Sequence, residues 1–162
     1  MAELTQSLAT EVWRYDPDTG FFFWRVSPRY KIAIGDRAGN FDGKYWRLRY
    51  KKKNYKASRV AWLIMTGLWP NDQIDHVNGN KVDDRFCNLR EATNAENCRN
   101  IGVRKTNRLG IKGVSKNKYS YTAVTTLNGK RYHIGSFRTP EEAALYQQAA
   151  AHALHGKFHR AG

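Results

Sequence analysis

Two short runs near the N-terminus have the hydrophobic pattern of β-strands. The first, residues 21–26, is aromatic and lies between a turn sequence at residues 18–20 and Pro28. The second, residues 45–50, follows a turn at Asp42-Gly43. Side chains alternate across a strand, so this second run would have two different faces: Tyr45, Arg47 and Arg49 on one, and Trp46, Leu48 and Tyr50 on the other. The pattern predicts an N-terminal antiparallel β region over residues 1–57.

A helix and then a second strand pair are predicted in the middle of the chain. Residues 58–66 have helical apolar spacing, and Gly67 provides a C-terminal stop. Further on, the turn at residues 78–80 and a polar stretch up to residue 87 separate two short strand candidates, the second at residues 88–92. Thr93 and Glu96 have the spacing of a capping box, so a helix should begin at Asn94. The predicted order is strand, loop, strand, helix.

The C-terminal third has a hairpin signal followed by a helix signal. Residues 119–127 and 130–137 flank Asn128-Gly129, the preferred pair for a two-residue type I′ turn. This turn would set the register of the two hairpin strands. The predicted pairs are Ala123 with Ile134, Thr125 with Tyr132, Val124 with His133 and Thr126 with Arg131. Residues 112–115 can add a third strand to the sheet.

A helix should begin after Thr139, with Pro140 in its first turn and Glu142 completing a capping box. Gly156 would end this helix. Its packing face would consist mostly of small residues: Ala143, Ala144, Gln147, Ala150, Ala151 and Leu154. The predicted fold class is α+β, and the predicted modules are residues 1–57, 58–105 and 113–162, with a linker at 106–112.

Charge indicates the kind of partner. The 162 residues carry 28 Lys+Arg against 14 Asp+Glu, a net charge of +14. Such an excess repels itself unless a polyanion lies nearby, which favours nucleic acid. A membrane is the rival partner, but the sequence has neither an apolar run of about 18 residues nor a basic amphipathic helix, and residues 1–10 lack signal-peptide features. We therefore expect a cytoplasmic protein, in a bacterial cell or phage-infected host, that is not secreted.

The two cysteines, Cys87 and Cys98, form no Cys-x-x-Cys pair. We expect two partly buried thiols and no disulfide, which agrees with a reducing compartment.

The cations lie on either side of an acidic centre. Residues 43–59 contain eight basic residues and no acid, residues 97–140 contain ten basic residues and no acid, and six acids fall within residues 72–96. Basic arms around a cation-binding centre suit a nuclease. The residues predicted to contact DNA are Arg47, Arg49, Lys51, Lys52, Lys53, Arg99, Lys112, Lys116, Lys118, Arg131 and His133. The alternative for each basic sheet is a solvated face, or one that contacts only phosphate.

Four residues of the acidic centre suit phosphodiester hydrolysis. The Asp75 carboxylate and the Asn97 amide oxygen are ligands that a hard divalent cation accepts, and they would leave coordination sites for a DNA phosphate. With an ordinary pKa near ~6.5, His76 can take a proton from water at neutral pH. Asn88 could hold the loop or the imidazole in register. Each residue taken singly could equally be structural, because an Asp-His pair is often exposed and loop asparagines commonly form turns.

The same segment resembles the HNH nuclease signature of phage and intron homing endonucleases. The resemblance is carried by Asp75-His76, residues 78–80, residues 88–90 and Glu96-Asn97, over about residues 58 to 100. It implies a ββα-metal finger in which His76 is the general base, Asp75 and Asn97 bind one Mg²⁺ or Mn²⁺, and Asn88 is the middle Asn. Relatives commonly have His-Arg before the apolar helix, whereas this chain has Ser58-Arg59, which should alter packing or a phosphate contact.

Residues 113–156 resemble the Apetala/ethylene-response-factor type of DNA-binding domain. The similarity lies in residues 121–123, 133–137 and 139–144, and it implies a three-stranded sheet laid in the major groove. Relatives usually have Trp or Arg at several groove positions where this chain has Val124 and Thr126, which leaves base recognition open.

The sequence therefore predicts a metal-dependent endonuclease acting on double-stranded DNA as a monomer or homodimer, with no obligatory protein partner. A non-catalytic DNA-binding regulator is the main alternative, and an RNA-binding protein is a weaker one because no RNA-module signature is present. The target sequence and the choice between nicking and double-strand cleavage are left open.

Overall fold

The computed structural model describes residues 4–29, 31–103, 106–127 and 129–158, and of Lys157 only the backbone. The chain divides into two compact units, Met1–Ala92 and Thr93–Gly162. Both combine helices with small antiparallel sheets, which confirms the predicted α+β class. The predicted HNH module, residues 58–105, contains the boundary between the two units.

The first unit begins with a helix that the sequence pattern did not predict. Helix α1 (Gln6–Val12) follows Thr5, whose side chain accepts a hydrogen bond from the backbone N–H of Leu8. It leads directly into β1 (Trp13–Tyr15), which pairs with β2 (Phe22–Trp24), and β3 (Arg37–Ala38) completes this antiparallel sheet. Strand β2 lies within the predicted run at residues 21–26.

A second three-stranded sheet contains β4 (Asn40–Phe41), β5 (Trp46–Tyr50) and β6 (Lys53–Lys56). The predicted alternation is confirmed in β5, where Leu48 is buried and Arg49 is exposed. Helix α2 (Ala57–Thr66) follows, and Gly67 ends it at a φ of 82°, as predicted.

One apolar core joins these elements, because α1, α2 and both sheets bury side chains in the same cluster. Its largest fully buried side chains are Trp13, Leu4, Leu48, Leu63 and Val60.

The last elements of the first unit are β7 (Gln73–His76) and β8 (Leu89–Ala92), which pair antiparallel. Between them lie the 77–85 loop, with Gly79 at a φ of 70°, and a 3-10 turn over Phe86–Asn88. The second strand therefore starts one residue later than predicted, because Asn88 belongs to the 3-10 turn.

The second unit starts with the predicted capping box. The Thr93 hydroxyl accepts from the N–H of Glu96, and the Glu96 carboxylate accepts from the N–H of Thr93, at the start of α3 (Asn94–Arg99). The chain then forms a sheet in the order β9 (Val114–Lys116), β10 (Tyr121–Leu127) and β11 (Lys130–Phe137).

The predicted hairpin register holds near the turn and fails further along. Thr126 pairs with Arg131 and Val124 with His133, as predicted, but Ala123 pairs with Gly135 and not with Ile134. A bulge between Ala123 and Val124 shifts the register, because a bulge sets an extra residue against one on the partner strand. Asn128, half of the predicted turn pair, lies outside the described residues.

Helix α4 (Pro140–His155) packs on this sheet. The Thr139 hydroxyl accepts from the N–H of Glu142, which is the first half of the predicted capping box, and Gly156 ends the helix. Ala143, Gln147 and Ala151 are buried as predicted, whereas Leu154 is exposed, because it lies in the last turn of the helix.

Two further features concern the thiols and the membrane. Cys87 and Cys98 are free, and both are exposed rather than partly buried, because each lies on a short helical segment facing solvent. Within the described ranges, every helix is too short or too polar to cross a bilayer.

Candidate active site

Strand β7 carries Asp75 and His76 on opposite faces, because adjacent side chains of a strand alternate. The pairing with β8 sets Asp75 opposite Arg90 and His76 opposite Leu89. Both side chains are buried, each 4% exposed. Two polar residues buried side by side on one strand need partners, and each has a charged one.

The partner of His76 is Asp84, from the 77–85 loop. The His76 Nε2 and the Asp84 Oδ1 are 2.9 Å apart, and both side chains are 4% exposed. Burial raises the pKa of Asp84, while the hydrogen bond with His76 opposes that rise. An ionised carboxylate only accepts hydrogen bonds, so this contact favours the imidazole form with the proton on Nε2 and the basic lone pair on Nδ1.

The partner of Asp75 is Arg90, directly across the strand pair. The Arg90 Nε and Nη2 lie 2.8 Å and 2.7 Å from the Asp75 Oδ2. Two donors on one carboxylate oxygen make a charge-assisted contact that fixes the orientation of Asp75. The sequence pattern did not predict Arg90 or Asp84 as site residues. The register of the β7–β8 pair could have identified Arg90 as the residue opposite Asp75, but no pairing rule places an acid that lies in a loop, as Asp84 does.

Asn88 braces the loop that supplies Asp84. Its Oδ1 accepts from the backbone N–H of Asn78 at 2.9 Å, and its Nδ2 donates to the Asp83 carbonyl at 2.8 Å. Asn88 is itself buried. Its amide therefore spans the two ends of the loop, which is one of the two uses predicted for it.

Asp83 links residues near the two ends of the same loop through hydrogen bonds to its carboxylate. Its carboxylate accepts from the Arg85 Nη2 at 2.6 Å and from the Asn78 Nδ2 at 2.7 Å. These hydrogen bonds, chiefly the one from Arg85, lower the pKa of Asp83 to about 2.

The hairpin formed by β1 and β2, residues 13–24, supports the loop from a distant part of the chain. The Tyr15 hydroxyl donates to the Asp84 carbonyl at 2.7 Å, and the N–H of Phe86 donates to the Pro17 carbonyl at 3.1 Å. Gly20, at a φ of 75°, lies so close that an added Cβ would be 2.5 Å from the Arg85 nitrogen. The loop position of Asp84 therefore depends on N-terminal residues.

Ser58 and Arg59, where relatives commonly have His-Arg, serve packing here. Ser58 is buried in α2, and the Arg59 guanidinium donates to the carbonyls of Asp72 and Pro70 at 2.7 Å and 3.1 Å. This arginine fixes the chain just before β7.

Asn97 lies on α3, in the second unit, where its backbone N–H donates to the Thr93 carbonyl. Its role as a metal ligand stays a prediction. Within the described ranges, no three or more His, Cys, Asp or Glu side chains cluster as a metal site would require. The donor chemistry nevertheless fits a hard cation, because Mg²⁺ commonly uses one or two carboxylates and completes its coordination with waters and substrate phosphate.

The residues predicted to contact DNA occupy different environments. In the first unit Arg47 is paired with Asp42 at 2.6 Å, while Arg49 and residues 51–53 are exposed around the β5–β6 turn. In the second unit the Lys112 ammonium donates to the Arg99 carbonyl, so both residues are partly used internally. The other four are exposed on the sheet and its loop: Lys116, Lys118, Arg131 and His133.

Comparison with known proteins gives the class of this site. The model of the HNH endonuclease family matches residues 55–99, a range that contains Asp75, His76, Asn88 and Asn97. An HNH domain is a nuclease domain, implies DNA as its substrate and generally uses a divalent metal. The match does not extend to the C-terminal sheet.

Two relatives extend the similarity beyond this range. Protein 3.8 of Escherichia phage T7 is 34% identical over 115 residues, covering 67% of this chain and 94% of that protein. An uncharacterized HNH endonuclease of Acanthamoeba polyphaga mimivirus is 34% identical over 137 residues, covering 83% of this chain and 68% of that protein. No solved structure matches the chain. The chain belongs to the HNH endonuclease family.

Proposed function

We propose that the chain is a divalent-metal-dependent endonuclease of the homing type, hydrolysing a phosphodiester bond in duplex DNA with His76 as the general base. The observation that carries this assignment is the buried contact between His76 and Asp84, beside Asp75 on the same strand. An imidazole held in one orientation by a carboxylate is the arrangement that general-base catalysis needs.

The proposed reaction starts with a water molecule next to the His76 ring. The Nδ1 atom takes a proton from the water, the water oxygen bonds to phosphorus, and the bond from phosphorus to one deoxyribose oxygen breaks. That oxygen leaves with the bonding electron pair and takes a proton from solvent water. Asp84 stabilises the positive charge that the imidazole gains. A positioned base of this kind typically contributes about 10²–10⁴-fold to the rate.

Asp75 and Asn97 are the proposed metal-holding residues. A bound Mg²⁺ or Mn²⁺ would supply charge stabilisation for the departing oxygen. Arg90 donates to one oxygen of Asp75 and fixes the orientation of that carboxylate. Asn88 acts indirectly, by keeping the loop that carries Asp84 closed.

The DNA-gripping role of the C-terminal sheet is part of the same proposal. Its support is the exposed basic face with Arg131 and His133, opposite the face that buries Ala123 and Thr125. The phage and viral origins of the two relatives support a homing role, inside a bacterial cell or infected host, and an Apetala-type C-terminal domain is proposed together with it.

The test is cleavage of a supercoiled plasmid library, with Mg²⁺, with Mn²⁺ and with EDTA. We expect nicked or linear product with metal and none with EDTA. His76→Ala should abolish cleavage and leave DNA binding in EDTA nearly intact, whereas His152→Ala, an exposed histidine on α4, should cleave normally. Binding without hydrolysis under either metal would instead favour a regulator, and joint loss of binding and cleavage in His76→Ala would make that histidine structural.

A further inference from the structure

A group of four cations surrounds the ring of Tyr45, a residue that the sequence pattern placed on a strand face and gave no role. The Lys56 Nζ is 4.4 Å from the ring centroid, the Lys44 Nζ 5.4 Å, the Lys81 Nζ 5.7 Å and the Arg47 Cζ 5.8 Å. They come from three separate parts of the first unit, so local sequence alone does not bring them together.

This cation group lies next to the proposed base. The centroids of the Tyr45 and His76 rings are 6.5 Å apart, with an interplanar angle of 32°. An anion held by the cations around Tyr45 would therefore lie close to the His76 ring.

The charges of the group are mostly uncompensated. Asp42 pairs with Arg47 and otherwise accepts from backbone N–H groups of its own turn. Within the part of the chain that the structure describes, no carboxylate pairs with Lys44, Lys56 or Lys81. The Tyr45 ring attracts each cation, but it does not cancel the repulsion between the cations. A bound polyanion would reduce that repulsion.

Lys56 also stands where a lysine weakens its own helix. It is the N-cap of α2, makes no side-chain capping hydrogen bond, and no acid follows in the first turn. A serine or aspartate would be favoured at this position, and a positive charge beside the positive end of the helix dipole is unfavourable. The stability of the helix therefore does not explain a lysine here.

We propose that Lys56 and Lys81, aligned by the Tyr45 ring, bind the DNA phosphate next to the scissile one and so set the substrate against His76. The ligand class is a phosphodiester backbone, and the interaction is charge-assisted and independent of base sequence. Lys44 extends the same cationic track into the β4–β5 turn. The assignment rests on the proposed nuclease function but concerns substrate placement, not the hydrolytic step.

The first experiment measures DNA binding in EDTA, with His76→Ala as the background so that binding is separate from cleavage. Lys56→Ser and Lys81→Ser should each weaken binding about tenfold and reduce the salt dependence of log K by about one ion each. The matched control is Lys31→Ser, an exposed lysine in the loop between β2 and β3 that loses the same charge. Equal effects of all three substitutions, or none, would overturn the proposal even if the wild-type protein cleaves DNA.

The second experiment places the phosphate. A duplex containing a mapped cleavage site is made with one uncharged methylphosphonate at each position flanking the scissile bond. One such position should slow single-turnover cleavage by the wild-type protein by about tenfold and cause no additional loss in Lys56→Ser or Lys81→Ser. Additive losses at every position would contradict a contact next to the scissile phosphate. Unfolding of Lys56→Ser is not a concern, because the serine should raise the thermal stability of α2.

Discussion

His76 and Asp84 form a buried ion pair or hydrogen bond in which the imidazole Nε2 lies 2.9 Å from the carboxylate Oδ1. Eight positions separate them, and the 77–85 loop, braced by Asn88, returns the acid to the histidine. The geometry fixes Nε2 against Asp84, and the proposed mechanism gives the other ring nitrogen, Nδ1, the task of taking the proton.

Asp84→Asn tests this division. An asparagine can turn its amide N–H toward Nε2 and favour the opposite tautomer, which would place the proton on Nδ1. We expect single-turnover cleavage to fall about 10–100-fold with little change in DNA affinity. Nitrogen-15 NMR of labelled histidine should show the tautomer of His76 change, which a merely structural role would not produce.

Asp18→Asn, an exposed acid in the β1–β2 turn, is the control for the loss of one negative charge. Wild-type cleavage by Asp84→Asn, with the proton still on Nε2, would remove Asp84 from the mechanism.

Gly20→Ala tests the support of the loop by the N-terminal hairpin. The new methyl group would meet backbone atoms of residues 84 and 85 at 2.5–2.6 Å, so the loop must move. Gly35→Ala is a matched control, since its φ is also positive at 91° but nothing lies within 4 Å of the added carbon. Both should lose about 1–2 kcal/mol of stability from backbone strain, measured by urea denaturation.

Only Gly20→Ala should lose about 1–3 kcal/mol of additional stability from overpacking, and only this variant should lose cleavage activity. Equal stability and equal activity of the two variants would show that the hairpin does not position the loop.

Elements with strong local signals were predictable from sequence. The capping box of Thr93 and Glu96, the stop at Gly67 and the alternation along β5 are all settled by residues within a few positions of one another. Helix α1 was missed because its seven residues contain only a weak apolar stripe and its stability comes from packing against α2.

The site was predictable only in part. Asp75 and His76 stand together in sequence, but Asp84 reaches His76 only because Asn88, Tyr15 and Gly20 shape the loop. The cations around Tyr45 come from different strands and a loop. The bulge in the C-terminal hairpin sets Ala123 against Gly135, where the Phe137 ring would lie 2.9 Å from an added Cβ. Such long-range contacts leave no periodicity in the sequence.

The lowered pKa of Asp83 predicts an acid-sensitive loop. Because the folded-state pKa is about 2 against 3.8 for the free side chain, the unfolded chain binds the proton more readily. The contribution of Asp83 to stability is therefore complete above pH 3.8 and is lost as the pH falls through about 2. Urea denaturation at several pH values should show a shallower decline for Asp83→Asn than for the wild type across this window, and parallel curves would contradict the assignment.

The turn between β5 and β6 provides the last prediction, because it combines strained backbone with positive charge. Tyr50 pairs with Lys53, so the turn has two residues, Lys51 and Lys52, with φ angles of 45° and 69°. Positive φ at both positions is the type I′ geometry, which favours Asn-Gly and costs an ordinary side chain roughly 1 kcal/mol or more. Two lysines therefore hold this turn at the expense of stability.

Replacing the two lysines by an Asn-Gly pair, in the variant K51N/K52G, should raise the midpoint of thermal unfolding while weakening DNA binding. Loss of two phosphate contacts would reduce the salt dependence of log K by about two ions, whereas K51N/K52N, which keeps the same charge loss with a less favourable turn, should bind equally weakly and be less stable. Tighter or unchanged DNA binding in both variants would mean that these lysines lie outside the DNA interface. DNA binding would then not explain why strained lysines occupy this turn.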